Sequence, residues 1–135
     1  PWADVKMDVH EIPFEDNSFD VVICNHVLEH VDDSQKVMTE FFRVMKPGGW
    51  GIFQVPIDNN NPKTIEDKAV TDPKEREKLY WQSDHLRLFG RDYGDRLSAA
   101  GFKVTESDFI NEIDPKLVER YALPKDELVY YCEKI

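Results

Sequence analysis

Apolar residues along this chain fall into runs of two periodicities. Phe19–Cys24 (FDVVIC) is nearly continuous and β-branched, with Asp20 as its single charge at the entrance. Such a run predicts a strand covered on both faces, as in parallel sheets. Val37, Met38, Phe41, Phe42 and Met45 then recur three and four residues apart and predict one apolar stripe of a helix. Asp32, Asp33 and Ser34 offer N-cap oxygens, Pro47 predicts the helix stop, and Gly48-Gly49 predicts a positive-φ exit. Trp50–Val55 reads as a second strand closed by Pro56. Strand, helix and strand with short connections make a βαβ unit, whose crossover is right-handed in nearly all cases. Upstream, Val5–Met7 reads as the end of a strand running into Asp8, and Glu15–Ser18 as a polar turn.

The rhythm breaks over residues 57–90, which read as an insertion. Asp58-Asn59-Asn60-Asn61-Pro62 is rich in turn formers. Asp72-Pro73-Lys74-Glu75 has a cap residue, Pro at the first helical position and an acidic residue in the first turn. Leu79, Tyr80 and Trp81 are expected to point inward from that helix. Tyr93, Leu97 and Ala100 then line a helix ended by Gly101, and Phe102–Val104 begins a strand. Asp114-Pro115 opens a short helix ending near Pro124, and Leu128–Cys132 reads as a final strand.

At 135 residues the chain suits one domain able to bury about two-thirds of its unfolded surface. It is 41% hydrophobic and 12% aromatic, which argues for a globular chain. A formal charge of −10 opposes the phosphate neutralisation that nonspecific nucleic-acid binding needs, so no nucleic acid is expected as a partner. Lys74, Arg76 and Lys78 alternate with Glu75 and Glu77, the pattern of a solvated helix face. Cys24 and Cys132 lie in apolar runs without metal spacing and read as buried free thiols. No apolar run approaches the ~18 residues of a membrane span, so a cytoplasmic location without a membrane partner is expected. Pro1-Trp2-Ala3 does not read as a natural start, which suggests a longer parent.

Asn25-His26-Val27-Leu28-Glu29-His30 leaves the carboxyl end of the first strand, where open α/β sheets bind ligands. An imidazole there can take a proton from an oxygen or nitrogen acceptor, which makes His26 and His30 candidate bases. The same letters match H-x-x-E-H, a zinc-peptidase pattern with Glu29 as base. That chemistry needs a long helix and a third ligand downstream, whereas this motif emerges directly from a strand; no metal is expected.

The stretch from Asp8 to Pro56 resembles the middle of a class I S-adenosylmethionine-dependent methyltransferase. FDVVICNHVLEHV and Arg43-Val44-Met45-Lys46-Pro47-Gly48-Gly49 carry the resemblance most closely. Asp84-His85-Leu86-Arg87-Leu88-Phe89, ahead of RDYGDRLSAAGFKV, resembles a segment of bacterial members more loosely. The resemblance implies an α/β, Rossmann-like fold, with a mostly parallel sheet of strand order 3-2-1-4-5-7-6 and one antiparallel strand. It implies S-adenosylmethionine as cofactor, with Asp8 accepting a hydrogen bond from the adenine amino group and the Val9 backbone facing the ring. Asn25 and His26 would lie near the methionine part, with His26 or His30 as orienter or base. Tyr80, Trp81, His85 and Arg87 of the insertion would shape the pocket of a small-molecule acceptor.

None of the six glycines makes a strand–GxGxG–helix unit, so the family's cofactor loop and first two strands have no counterpart here. Residues 1–135 are therefore expected to form a partial methyltransferase domain that by itself binds the cofactor weakly or not at all. Phe19–Cys24 would then be an apolar sheet edge, prone to pair with a second copy. The reading from another class is a noncatalytic methyltransferase-like module used in assembly.

Overall fold

The computed structural model describes residues 3–135. The expectation about the start of the chain rests in part on Pro1 and Trp2, which lie outside them. The first strand, β1, spans Phe19–Asn25, and helix α1 (Ser34–Val44) follows. Asp33 caps α1, its carboxylate accepting the Lys36 N–H at 3.0 Å. Val37, Met38, Phe41 and Val44 are buried along one stripe of the helix. Strand β2 (Met45–Gln54) begins where α1 ends. Pro47 is thus not the helix stop. The chain is already extended at Met45, and Lys46–Gly49 bulges out between the paired positions Phe19–Met45 and Val21–Trp50. Gly48 there takes φ +79°, and its N–H donates to the Lys134 carbonyl at 2.7 Å.

Beyond the Asp58–Asn61 turn come the two-residue strand β3 (Ile65–Glu66), helix α2 (Pro73–Tyr80) and strand β4 (Arg87–Leu88). The α2 start is as expected: Asp72 accepts the Lys74 and Glu75 N–H groups. Helix α3 (Tyr93–Ala99), strand β5 (Lys103–Ser107), helix α4 (Pro115–Arg120) and strand β6 (Val129–Glu133) complete the order. The main sheet runs β1-β2-β6-β5. β1 pairs parallel with β2, and β6 pairs antiparallel with both β2 and β5. β6 is therefore the one reversed strand, and the order is that of the last four strands of the implied sheet. β3 and β4 form a separate antiparallel pair inside the insertion.

One face of the sheet carries the core. Phe53 stacks on Phe41 with ring centroids 5.2 Å apart, and Tyr93 meets Tyr130 edge-on at 4.7 Å. Val37, Met38, Leu97 and Phe102 fill the layer between sheet and helices. Val70, Tyr80 and Leu88 make a small second cluster inside the insertion. Burial pushes the thiols of Cys24 and Cys132 up to about 12, Cys24 also feeling the charge of Glu29, so both are inert at neutral pH.

Three expectations are corrected. Val5–Met7 forms no strand; Val5 and Met7 are exposed, and no described strand lies beside them to supply ladder hydrogen bonds. β1 is not covered on both faces: Val22 and Cys24 turn toward the core, while Val21 is 40% and Ile23 60% exposed. From the end of α2 only Tyr80 is buried; Leu79 and Trp81 face outward, Trp81 with φ 74°. No described helix is long and apolar enough to cross a membrane.

Candidate functional site

The parallel pair of β1 and β2 aligns Asn25 opposite Gln54, so both strands deliver their carboxyl ends to one place. The chain leaves β1 through His26, whose φ is +56°, with its N–H donating to the Gln54 carbonyl at 2.8 Å. That reversal turns residues 27–30 into tight turns rather than a helix, so the H-x-x-E-H letters have no helical face on which to align. Asn25, His26 and Gln54 border a hollow of about 400 Å³ whose other walls include Phe109, Ile110, Ile113 and Leu123. Gln54 is fixed there, its amide donating to the Leu128 carbonyl and accepting the Tyr130 N–H.

A second cleft, of about 700 Å³, is lined by Asp8, Val9, His10, His30 and Asp32 among others. Asp8 is oriented by His10. Asp8 Oδ1 accepts the His10 N–H at 2.9 Å and lies 2.8 Å from Nδ1. His10 Nε2 in turn accepts the Asp33 N–H, which places the imidazole proton on Nδ1 and makes it the donor to Asp8. These hydrogen bonds, the backbone one foremost, hold the Asp8 carboxyl below its ordinary range. Oδ2 is left open on a side chain that is 71% exposed. His10 was not legible as a site residue in the sequence, where nothing in Asp8-Val9-His10 marks the ring as the carboxylate's partner.

His26 and His30 flank a buried carboxylate. Glu29 is 2% exposed, and its Oε1 lies 3.3 Å from His26 Nδ1 and 3.9 Å from His30 Nε2. The structure separates the two imidazoles: His26 borders the apolar hollow and His30 the Asp8 cleft.

The four insertion residues expected to shape an acceptor pocket do not gather around one. Tyr80 is buried in the small cluster, its hydroxyl accepting the Asp67 N–H. His85 is 1% exposed, with Nδ1 2.9 Å from the Tyr80 carbonyl. All five N–H groups of Arg87 are engaged: Nε and one Nη2 proton on Glu66, the other on the Asp32 carbonyl, and Nη1 on the carbonyls of Leu28 and Val31. A guanidinium so saturated clamps the 28–32 loop and has no donor left for an acceptor. Trp81 alone of the four is open, on a cleft of about 510 Å³ with Pro56, Asn59 and Tyr130.

Parallel strands flanked by helices, one reversed strand, and polar residues at the carboxyl ends of the first two strands define a Rossmann-like class I methyltransferase fold. Residues 2–53 match the methyltransferase domain family, and the similarity supports reading the chain as part of a class I S-adenosylmethionine-dependent methyltransferase. It is 31% identical over 137 residues to sterol 24-C-methyltransferase erg6 of Schizosaccharomyces pombe, a match that takes in 97% of this chain and 34% of the relative. It is 45% identical over 42 residues to the ubiquinone/menaquinone biosynthesis C-methyltransferase UbiE of Desulfotalea psychrophila, covering 31% of this chain and 17% of that one. The chain thus spans about a third of the first relative's length and about a sixth of the second's. Among solved structures it resembles 1,6-didemethyltoxoflavin-N1-methyltransferase of Burkholderia thailandensis, which holds S-adenosylhomocysteine. The TM-score is 0.61 at 16% identity, over 96% of this chain and 49% of that one, a likeness of fold.

Proposed function

We propose that the protein transfers a methyl group from S-adenosylmethionine to a small-molecule acceptor. The observation that carries this reading is the convergence at the sheet's carboxyl edge. Asn25 and His26 stand over an apolar hollow, and Asp8 and Val9 line the neighbouring cleft. Asp8 fits the adenine amino group, because His10 holds one carboxylate oxygen and leaves the other exposed as an acceptor. The Val9 backbone would lie against the ring, and Asn25 and His26 beside the methionine part.

The cofactor supplies a methyl carbon already activated for in-line displacement. The protein's task is to orient the acceptor and keep water out. His26 suits proton removal: it is 60% exposed, with Nδ1 toward Glu29 and Nε2 available to an acceptor hydroxyl or amine. The apolar walls of Phe109, Ile110, Ile113 and Leu123 favour a largely hydrophobic acceptor. His30, across the loop on the cofactor side, would orient rather than abstract.

Calorimetric titration of S-adenosylhomocysteine into this chain tests the reading. Weak but saturable binding is expected, lowered a further factor of about ten or more by Asp8→Ala, the loss matching one charge-assisted hydrogen bond. In the intact enzyme, His26→Ala should lower kcat by roughly 10²–10⁴ with little change in cofactor affinity. No saturable heat would count against a usable cofactor site in this chain and favour a noncatalytic assembly module.

A second copy is proposed as a partner through the β1 edge. β1 is the last strand of the described sheet, and it exposes Val21 and Ile23. Sedimentation velocity should show a dimer that Ile23→Lys shifts toward monomer. A monomer at all concentrations for the unmodified chain would sink the idea.

A further inference from the structure

We propose that Glu29, His30 and His85 form a three-ligand binding site for a divalent transition metal of the zinc class. One ligand atom from each residue lies within 4.8 Å of the other two. Bonds of about 2.0–2.2 Å to zinc require ligand atoms roughly 3.4 Å apart, so a closure of about 1 Å by side-chain rotation completes the site.

Two observations beyond proximity point to a cation. The first is the carboxylate. Glu29 is 2% exposed, and its Oε2 is buried with no hydrogen-bond partner among the described residues. A buried carboxylate oxygen without a partner is costly, and a bound cation removes that cost.

The second is the way the imidazoles are held. His85, 1% exposed, sets Nδ1 2.9 Å from the Tyr80 carbonyl, and only a protonated nitrogen can bond there. The neutral ring then carries its lone pair on Nε2. His30 faces the Asp84 carbonyl and carboxylate through Nδ1, both at 3.4 Å, and turns Nε2 toward Glu29. Anchoring of the far ring nitrogen by a carbonyl or carboxylate is how metal-ligating histidines are oriented. The two rings meet edge-to-face with centroids 4.8 Å apart and an interplanar angle of 82°.

Two imidazoles and one carboxylate make a borderline N₂O set. That set suits zinc or its first-row neighbours over calcium or magnesium, which prefer oxygen. Three protein ligands leave a further position for water. The ligands come from two distant segments, so the ion would tie the 26–30 loop to residues 84–88. Arg87 already clamps the same two segments by hydrogen bonds to the Leu28 and Val31 carbonyls. The helical H-x-x-E-H arrangement is not involved, because His26 is outside the trio and exposed.

The test is a Zn²⁺ titration of the metal-stripped chain by calorimetry, paired with Co²⁺ titration followed by visible absorption. One equivalent is expected to bind with a Kd of about 1 μM or tighter. Glu29→Gln and His85→Ala should each weaken it at least about tenfold, while His10→Ala leaves it unchanged. Imidazole ¹⁵N spectra of the unsubstituted protein give a readout that no variant's misfolding can confound. Zn²⁺ should shift Nε2 of His30 and His85 and leave His10 in place. Absence of saturable uptake, or uptake unchanged by Glu29→Gln, would overturn the site. Either result would mean that Glu29 is held by its histidines alone.

Discussion

Replacing Arg87 by Ala is expected to destabilise the protein by about 3–5 kcal/mol, the scale for removing one partner from a buried charged network. The side chain is 1% exposed and makes five hydrogen bonds. Its loss strands the carbonyls of Leu28, Val31 and Asp32 and leaves Glu66 with only Arg96, at 3.3 Å. Each abandoned polar group costs about 1–3 kcal/mol if water cannot reach it. In a domain whose whole stability is roughly 5–15 kcal/mol, urea denaturation should show the midpoint collapse. Arg87→Lys should recover only part of the loss, because one ammonium with three donors cannot reproduce a planar fork of five. An Arg87→Ala variant as stable as the parent would mean that the loop does not depend on the clamp. The functional consequence follows from the loop's contents: it carries Glu29 and His30 and forms one wall of the Asp8 cleft.

Phe53→Ala is the second large effect, expected at about 3–5 kcal/mol for a fully buried phenylalanine. Phe53 lies at the centre of the core face of β2, stacked on Phe41 and tilted against Phe102 at 5.3 Å. The cavity would open between the sheet and α1, and Phe41 would lose its stacking partner. Its backbone carbonyl accepts the Tyr93 hydroxyl at 3.2 Å, a bond that Ala preserves in principle but in a loosened setting. Thermal unfolding should fall by on the order of 10 °C for such a loss in a domain of this size. Phe53→Leu, which keeps most of the apolar volume, should cost well under half as much.

The helix starts at Ser34 and Pro73 were legible because their caps are local: Asp33 and Asp72 bond N–H groups two or three residues ahead. The end of α3 was legible for the same reason, since Gly101 takes the positive φ that its type permits. The strand pattern of the main sheet was readable from β-branched runs. Exposure was not. FDVVIC reads as buried on both sides, yet the side of β1 bearing Val21 and Ile23 lies open. Val5–Met7 reads as strand, yet finds no ladder partner among the described residues. A strand is made by its neighbours, and a sequence window does not contain them.

The candidate site divides in the same way. The sequence by itself carried the methyltransferase resemblance, the βαβ unit and the helix caps, and through that resemblance the expectation that Asp8, Asn25 and His26 share one site. The elements and caps follow from residue type and short spacing, where bonding partners are near in sequence; the site role of Asp8 came from the resemblance. Only the tertiary structure decided that His10 orients Asp8, that Arg87 faces inward as a clamp, and that His85 lands beside Glu29 and His30. His10 is only two residues from Asp8, but the distant Asp33 N–H sets its ring, and packing of the insertion against the 26–32 loop brings the other contacts together.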